Sequence, residues 1–151
     1  MKFNPIALSA TLHCLTGCAI GEVAGMVLAT IGGWDNASSI GLATVLAFIF
    51  GYSFTCVPLV VSGQPAVDAL RIAVGGDTVS ITVMELVDNG VALAVPGAMD
   101  AGLRDLLFWG SLALGLALAF VAAYPVNVWL VSTGRRAHGA HGHAARGHGQ
   151  H

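Results

Sequence analysis

One apolar stretch near the start of the sequence bears side chains that bind soft metal ions. His13, Cys14 and Cys18 supply an imidazole and two thiols. Because four residues turn a helix by about 400°, Cys14 and Cys18 share one face, and His13 lies at its edge. Cys56 is expected at a similar depth on a later helix. Since thiolate and imidazole suit copper(I) or zinc, we predict a metal site at His13, Cys14, Cys18 and Cys56.

Each of these residues also has a plainer interpretation. A lone buried cysteine is commonly a small apolar core residue, and a histidine on a helix can simply hydrogen-bond to a neighbouring helix. Two thiols four residues apart point the same way without meeting, so the spacing does not favour a Cys14–Cys18 disulfide.

Carboxylates form a second set of candidate residues. A charged carboxylate at the centre of a bilayer costs at least about 2.5 kcal/mol, so these side chains should face protein or a water-filled cavity. Apart from His13, no basic side chain lies deep within an apolar stretch. Either the acids are protonated and hydrogen-bonded as polar packing contacts, or a mobile cation neutralises them. The predicted ion or proton path consists of Glu22, Asp77, Met84, Glu85, Asp88 and Asn89.

Three glycines follow one another at four-residue intervals on the first stretch, at Gly17, Gly21 and Gly25. Such a glycine stripe lets another helix backbone approach closely. We therefore predict that these three residues pack against a helix, either of this chain or of a partner.

The elements that hold these residues are four apolar stretches. Of the 151 residues, 56% are hydrophobic and 9% are charged, whereas soluble domains carry about 25% charged residues. Each stretch approaches the roughly 20 residues that span a bilayer, and short loops predict antiparallel neighbours. The sequence predicts an all-α integral membrane four-helix bundle over residues 1–134, with helices at Ile6–Ile31, Ser39–Val61, Leu70–Val95 and Leu106–Val131.

Basic residues in the short loops predict the orientation. With the N-terminus inside, only Arg104 lies outside, and the cytoplasmic side holds Lys2, Arg71, Arg135, Arg136 and Arg146. We predict a multi-pass protein of the inner (plasma) membrane with both termini in the cytoplasm. A lipoprotein signal ending at Cys18 is the alternative for the N-terminus, but the apolar run continues well past that residue.

The last segment, residues 135–151, consists mainly of glycine, alanine, arginine and histidine. Such a segment has little to bury and is predicted to be disordered. It is either a solubilising cytoplasmic tail or a weak site for zinc, nickel or copper. Its candidate ligands are His138, His141, His143, His148 and His151.

Several short segments together resemble a family of bacterial and archaeal membrane proteins, domain of unknown function 4396. The resemblance covers roughly Leu12 to Leu130 and implies a four-helix membrane domain, without an established activity. The histidine-rich tail lies outside it. The segments that resemble the family are His13–Cys18 with Gly21-Glu22, Phe50–Tyr52, Asp77–Ile81, Met84-Glu85, Asp88-Asn89, Pro96–Asp100, Phe108-Trp109 and Pro125–Asn127.

Three functions compete at this point. The first is a membrane protein that handles a cation, here a transition metal. It would act as a homo-oligomer, because one bundle is small for an alternating-access carrier. The second is a quinone-linked thiol oxidoreductase, although the chain lacks a Cys-x2-Cys pair. The third is a subunit or assembly factor that binds a membrane partner through the glycine stripe. We assign no catalytic residues, and without a basic stripe we expect no nucleic-acid partner.

Overall fold

The computed structural model describes residues 3–134, which form a bundle of four long helices. No strand occurs in this range, so the all-α prediction is confirmed there. The tail with its five histidines, predicted for residues 135–151, lies outside the described residues. The helices are α1 (Pro5–Gly32), α2 (Asn36–Val61), α3 (Ala66–Ala94) and α4 (Leu106–Ser132), with a short 3₁₀ helix at Ala98–Asp100 before α4.

Local signals in the sequence set the helix ends. The Asn4 side chain accepts hydrogen bonds from the first backbone N–H groups of α1, and Pro5 occupies the first helical position. Gly33 ends α1 in the left-handed conformation, with φ 65°. Asp35 caps α2. The third helix begins directly after Pro65, four residues before the predicted start, because Asp68 in its first turn interrupts the apolar pattern.

Successive helices run antiparallel. The glycine stripe of α1 lies against the backbone of α2 in reverse order, with Gly17 next to Gly51 and Gly25 next to Ala43. The closest packing joins α1 to α2 and α3 to α4. Consequently α1 begins where α4 ends, and the Asn4 backbone N–H donates to the Tyr124 hydroxyl at 3.1 Å. We call this the N-terminal end of the bundle and the other the opposite end.

Three of the four helices, α1, α2 and α4, are long and apolar enough to cross a membrane, with mean hydropathies of 1.7, 2.0 and 2.2 over 18-residue windows. The third helix, α3, falls outside this group because of its charged residues. Its outward face is nevertheless apolar: Val74, Leu86 and Leu93 are exposed, while Asp77 and Glu85 are buried. This helix thus turns its acids inward and its leucines outward, the reverse of a helix on a soluble protein.

Candidate functional site

Three carboxyl groups meet in the opposite half of the bundle, and we call Glu22, Glu85 and Asp88 the acidic cluster. Glu22 of α1 is 7% exposed and Glu85 of α3 is 5% exposed. The carboxyl group of Glu22 interacts with those of both Asp88 and Glu85. Asp88 reaches α4, where its carboxylate occupies the space that a Cβ atom on Gly115 would need. The cluster therefore joins α1, α3 and α4.

The acidic cluster has oxygen atoms that the protein does not satisfy. Among residues 3–134, no group donates a hydrogen bond to Oε2 of Glu22, Oε1 of Glu85 or Oδ1 of Asp88, although all three atoms are buried. The single ion pair in the described part of the chain joins Arg71 to Asp68, and both of these side chains are largely exposed. No basic side chain of this region therefore neutralises the cluster.

A cavity adjoins the acidic cluster and provides room for water. It extends from the three carboxyl groups to Asn36 and Met99 near the opposite end of the bundle. The volume open to the centres of water-sized molecules is about 80 Å³, and one water needs about 10–15 Å³ by this measure. Several water molecules therefore fit beside the acids.

Asn89 attaches one member of the cluster to α2. Its Nδ2 atom donates to the Glu85 backbone oxygen at 2.9 Å and lies 3.4 Å from Glu85 Oε2. The same atom lies 3.5 Å from Oγ1 of Thr44 on α2. Asn89 thus positions the Glu85 carboxylate without supplying a charge.

A second polar region lies in the N-terminal half of the bundle. The Cys14 thiol donates to Asp77 Oδ1 at 3.6 Å, and both residues are 1% exposed. His13 is exposed, and its Nδ1 atom lies 2.7 Å from the Ser9 backbone oxygen. His13 and Asp77 line a second cavity of about 500 Å³ between the ends of α1, α2 and α3. Each end of the bundle therefore has a cavity with a buried carboxylate in its wall.

A dry layer separates the two polar regions. Met84, predicted as part of the ion path, packs here with Cys14, Cys18 and Ile81, and all four are at most 1% exposed. Ala47, Ala119 and Ala123 complete this apolar core cluster. The Cys18 thiol lies on its border and interacts with the carboxyl group of Glu85.

A family model decides where this chain belongs. The model of the family described as Domain of unknown function (DUF4396) matches residues 5–136. The chain is a member of the DUF4396 family. The resemblance inferred from its short segments is therefore confirmed, and the match covers all four helices. No curated protein and no solved structure matches the chain.

The metal site predicted for this DUF4396 protein is not supported. Within residues 3–134, no three His, Cys, Asp or Glu side chains converge as a metal ion would require. His13 points away to the surface, and Cys56 is only half-buried on α2, while Cys14 and Cys18 enter the core. Spacing along one helix predicted a shared face, but a metal needs ligands that meet from several directions. We therefore do not identify these residues as metal ligands.

The sequence analysis missed a polar contact among three helices of the DUF4396 domain. The Asn127 side-chain amide on α4 donates to Thr11 Oγ1 at 2.8 Å and to Ser80 Oγ at 3.0 Å. All three residues are 0% exposed. Asn127 and Ser80 both lie in segments that resemble the family, which is the signal that could have identified them.

Proposed function

We propose that this DUF4396 protein binds a small cation at the acidic cluster and moves it between the two ends of a membrane-embedded bundle. The observation that supports this proposal is the placement of Glu22, Glu85 and Asp88. The Glu22 carboxyl group interacts with those of Asp88 and Glu85, and each of the three has a buried oxygen that the described protein leaves without a donor. A cavity lies beside them.

Elementary electrostatics explains why such a cluster needs a cation. Adjacent carboxylates repel one another when ionised, and burial penalises each charge further. A cation that neutralises the cluster removes the repulsion between the carboxylates and lowers the cost of their burial. If the cluster served only to pack helices, an amide or a hydroxyl would do so at lower cost, as Asn127 does between Thr11 and Ser80.

The proposal includes four membrane crossings with both termini in the cytoplasm. The apolar outward face of α3 supports a crossing by this helix despite its acids. Arg71 lies near the N-terminal end of the bundle and Arg104 at the opposite end, which agrees with the charge bias read from the sequence. We also propose a homo-oligomer in the plasma membrane, in which neighbouring bundles cover part of the exposed apolar surface.

The structure gives less support to a partner that binds the glycine stripe. A Cβ atom added at Gly17, Gly21 or Gly25 would meet backbone atoms of α2. Because α2 covers the stripe, a partner protein would have to bind another surface. We therefore retain cation handling as the one proposed function.

The test is cation flux through purified protein in liposomes. A potassium gradient with valinomycin sets the membrane potential, and dyes inside the vesicles report protons, sodium or potassium. We expect Glu22→Gln, Glu85→Gln and Asp88→Asn each to lower the flux about 100-fold, as loss of a positioned proton-transfer group does. Asp68→Asn is the matched control, because this acid is exposed and lies on α3, the helix that holds Glu85 and Asp88. Equal flux in the wild type, the cluster variants and empty vesicles would overturn the proposal.

A further inference from the structure

We propose that the cation is a proton and that Cys14 and Cys18 relay it between Asp77 and the acidic cluster. This inference rests on the proposed function and adds the identity of the ion and the residues that link the two polar regions. Nothing in the family description assigns a role to these thiols.

The contacts form a continuous row through the bundle. Asp77 Oδ1 accepts a hydrogen bond from the Cys14 thiol at 3.6 Å. Cys14 and Cys18 lie about one helical turn apart in the same apolar core cluster, and the Cys18 thiol hydrogen-bonds to the carboxyl group of Glu85. Glu85 in turn interacts with Glu22. Every member of the row is at most 7% exposed.

The row connects the two cavities. Asp77 lines the cavity at the N-terminal end, and Glu85 lines the cavity near the opposite end. These two acids are eight residues apart on α3, a rise of about 12 Å. A proton cannot cross that distance in one hydrogen bond of about 3 Å. Cys14 and Cys18 are the ionisable groups that lie between the two acids.

The layer around the thiols selects against other cations. Ile81, Met84, Ala47, Ala119 and Ala123 surround them and are at most 1% exposed. A sodium or potassium ion would have to shed its water among these apolar side chains, at a cost of many kcal/mol. A proton needs only a chain of groups that can both donate and accept. A thiol is such a group, since it has one S–H donor and an acceptor sulfur.

The relay balances as one concerted shift of three protons. Cys18 gives its S–H proton to ionised Glu85 while it takes up the proton of Cys14, and protonated Asp77 gives its proton to Cys14 in the same step. No buried thiolate forms, because each sulfur gains a proton as it loses one. Both thiols are restored, Asp77 is left ionised, and one proton has moved from Asp77 to Glu85. Water in the two cavities then reprotonates Asp77 and takes the proton from Glu85.

The experiment compares substitutions at the two thiols in the liposome assay. We expect Cys14→Val and Cys18→Val to lower proton flux about 100-fold, because valine removes the transferable proton and leaves no gap for water. Cys14→Ser and Cys18→Ser should retain much of the flux, since a hydroxyl also donates and accepts. Thr16→Val is the control, because Thr16 is exposed on the same helix as the two cysteines, its hydroxyl donates to the Leu12 backbone oxygen, and it lines neither cavity.

The possible results separate this inference from the proposed function. If both valine variants carry protons as fast as the wild type does, the thiol relay is refuted and cation handling is not. The same conclusion follows if the wild-type protein carries sodium or potassium but no protons. Absence of all cation flux in the wild type would overturn the proposed function itself.

Infrared spectroscopy tests the relay where a variant does not fold well enough for transport. In the wild type, the S–H stretch of Cys14 should show a hydrogen bond to a carboxylate, and Asp77→Asn should shift that band. The Cys18 band should shift in the same way in Glu85→Gln. S–H bands that stay unchanged in both variants would contradict the row of contacts.

Discussion

Replacing Gly21 by alanine tests the close approach of the α1 and α2 backbones. A Cβ atom at Gly21 would lie 2.5 Å from the carbonyl carbon of Leu46 and would also meet backbone atoms of Ala47. Ordinary van der Waals contact begins near 3.4 Å, so α1 and α2 would have to separate by about 1 Å. Backbone atoms cannot rotate away as the end of a flexible side chain can.

The expected cost follows from overpacking. An extra methyl group in a well-packed interior destabilises proteins by about 1–3 kcal/mol, and we expect Gly21→Ala in this range. Gly41 provides the matched control on α2, because a Cβ atom there meets nothing within 4 Å. Gly41→Ala should be neutral or stabilising by up to about 1 kcal/mol, since alanine favours helix.

Reversible unfolding in detergent micelles, followed by tryptophan fluorescence against an added denaturing detergent, measures both variants. We expect the midpoint of Gly21→Ala to fall and that of Gly41→Ala to stay or rise. Equal midpoints for the two variants would refute the close approach of α1 and α2 along the glycine stripe.

Three further predictions concern single contacts. Gly115→Ala should push the Asp88 carboxylate, which packs against Gly115 of α4, out of its position and so lower cation flux. The loss of stability should be smaller than for Gly21→Ala. Asn127→Ala should lower the unfolding free energy by about 1 kcal/mol, because two buried hydrogen bonds are lost. Hydrogen bonds from Ser38 hold the pKa of Asp35 below its ordinary value of 3.8. The stabilisation by this cap is therefore present above pH 3.8 and is lost as the pH falls through the lower folded pKa, and an unfolding series over pH should show this loss in the wild type but not in Asp35→Asn.

The fold was largely predictable because its signals are local. The order of the helices follows from signals that can be read within one helix at a time. These signals are the length of each apolar stretch, the proline and glycine residues at its boundaries, and the four-residue spacing. The predicted start of α3 at Leu70 is four residues too late because the first turn holds Asp68, which is exposed and interrupts the apolar pattern.

The sequence predicted which site residues share a face of one helix, but not which residues of different helices meet. Spacing placed Cys14, Cys18 and Glu22 on one face, but it could not say which residues of other helices would meet that face. The structure pairs Cys14 with Asp77 and Cys18 with Glu85, so each of these two thiols meets a carboxyl group of α3. The predicted metal site is not supported for this reason, since it required ligands from different helices to converge.

The sequence of α1 links close packing to the position of the polar row. Each glycine of the stripe is followed directly by a residue with a longer side chain: Gly17 by Cys18, Gly21 by Glu22 and Gly25 by Met26. Because one residue turns a helix by about 100°, the glycines face α2 while Cys18 and Glu22 face the acids of α3. The contact of α1 with α2 therefore fixes the rotation and height at which Cys18 and Glu22 meet Glu85. A helix that slid or turned on α2 would break the row even with every polar residue intact, so the glycine stripe positions the site as well as stabilising the bundle.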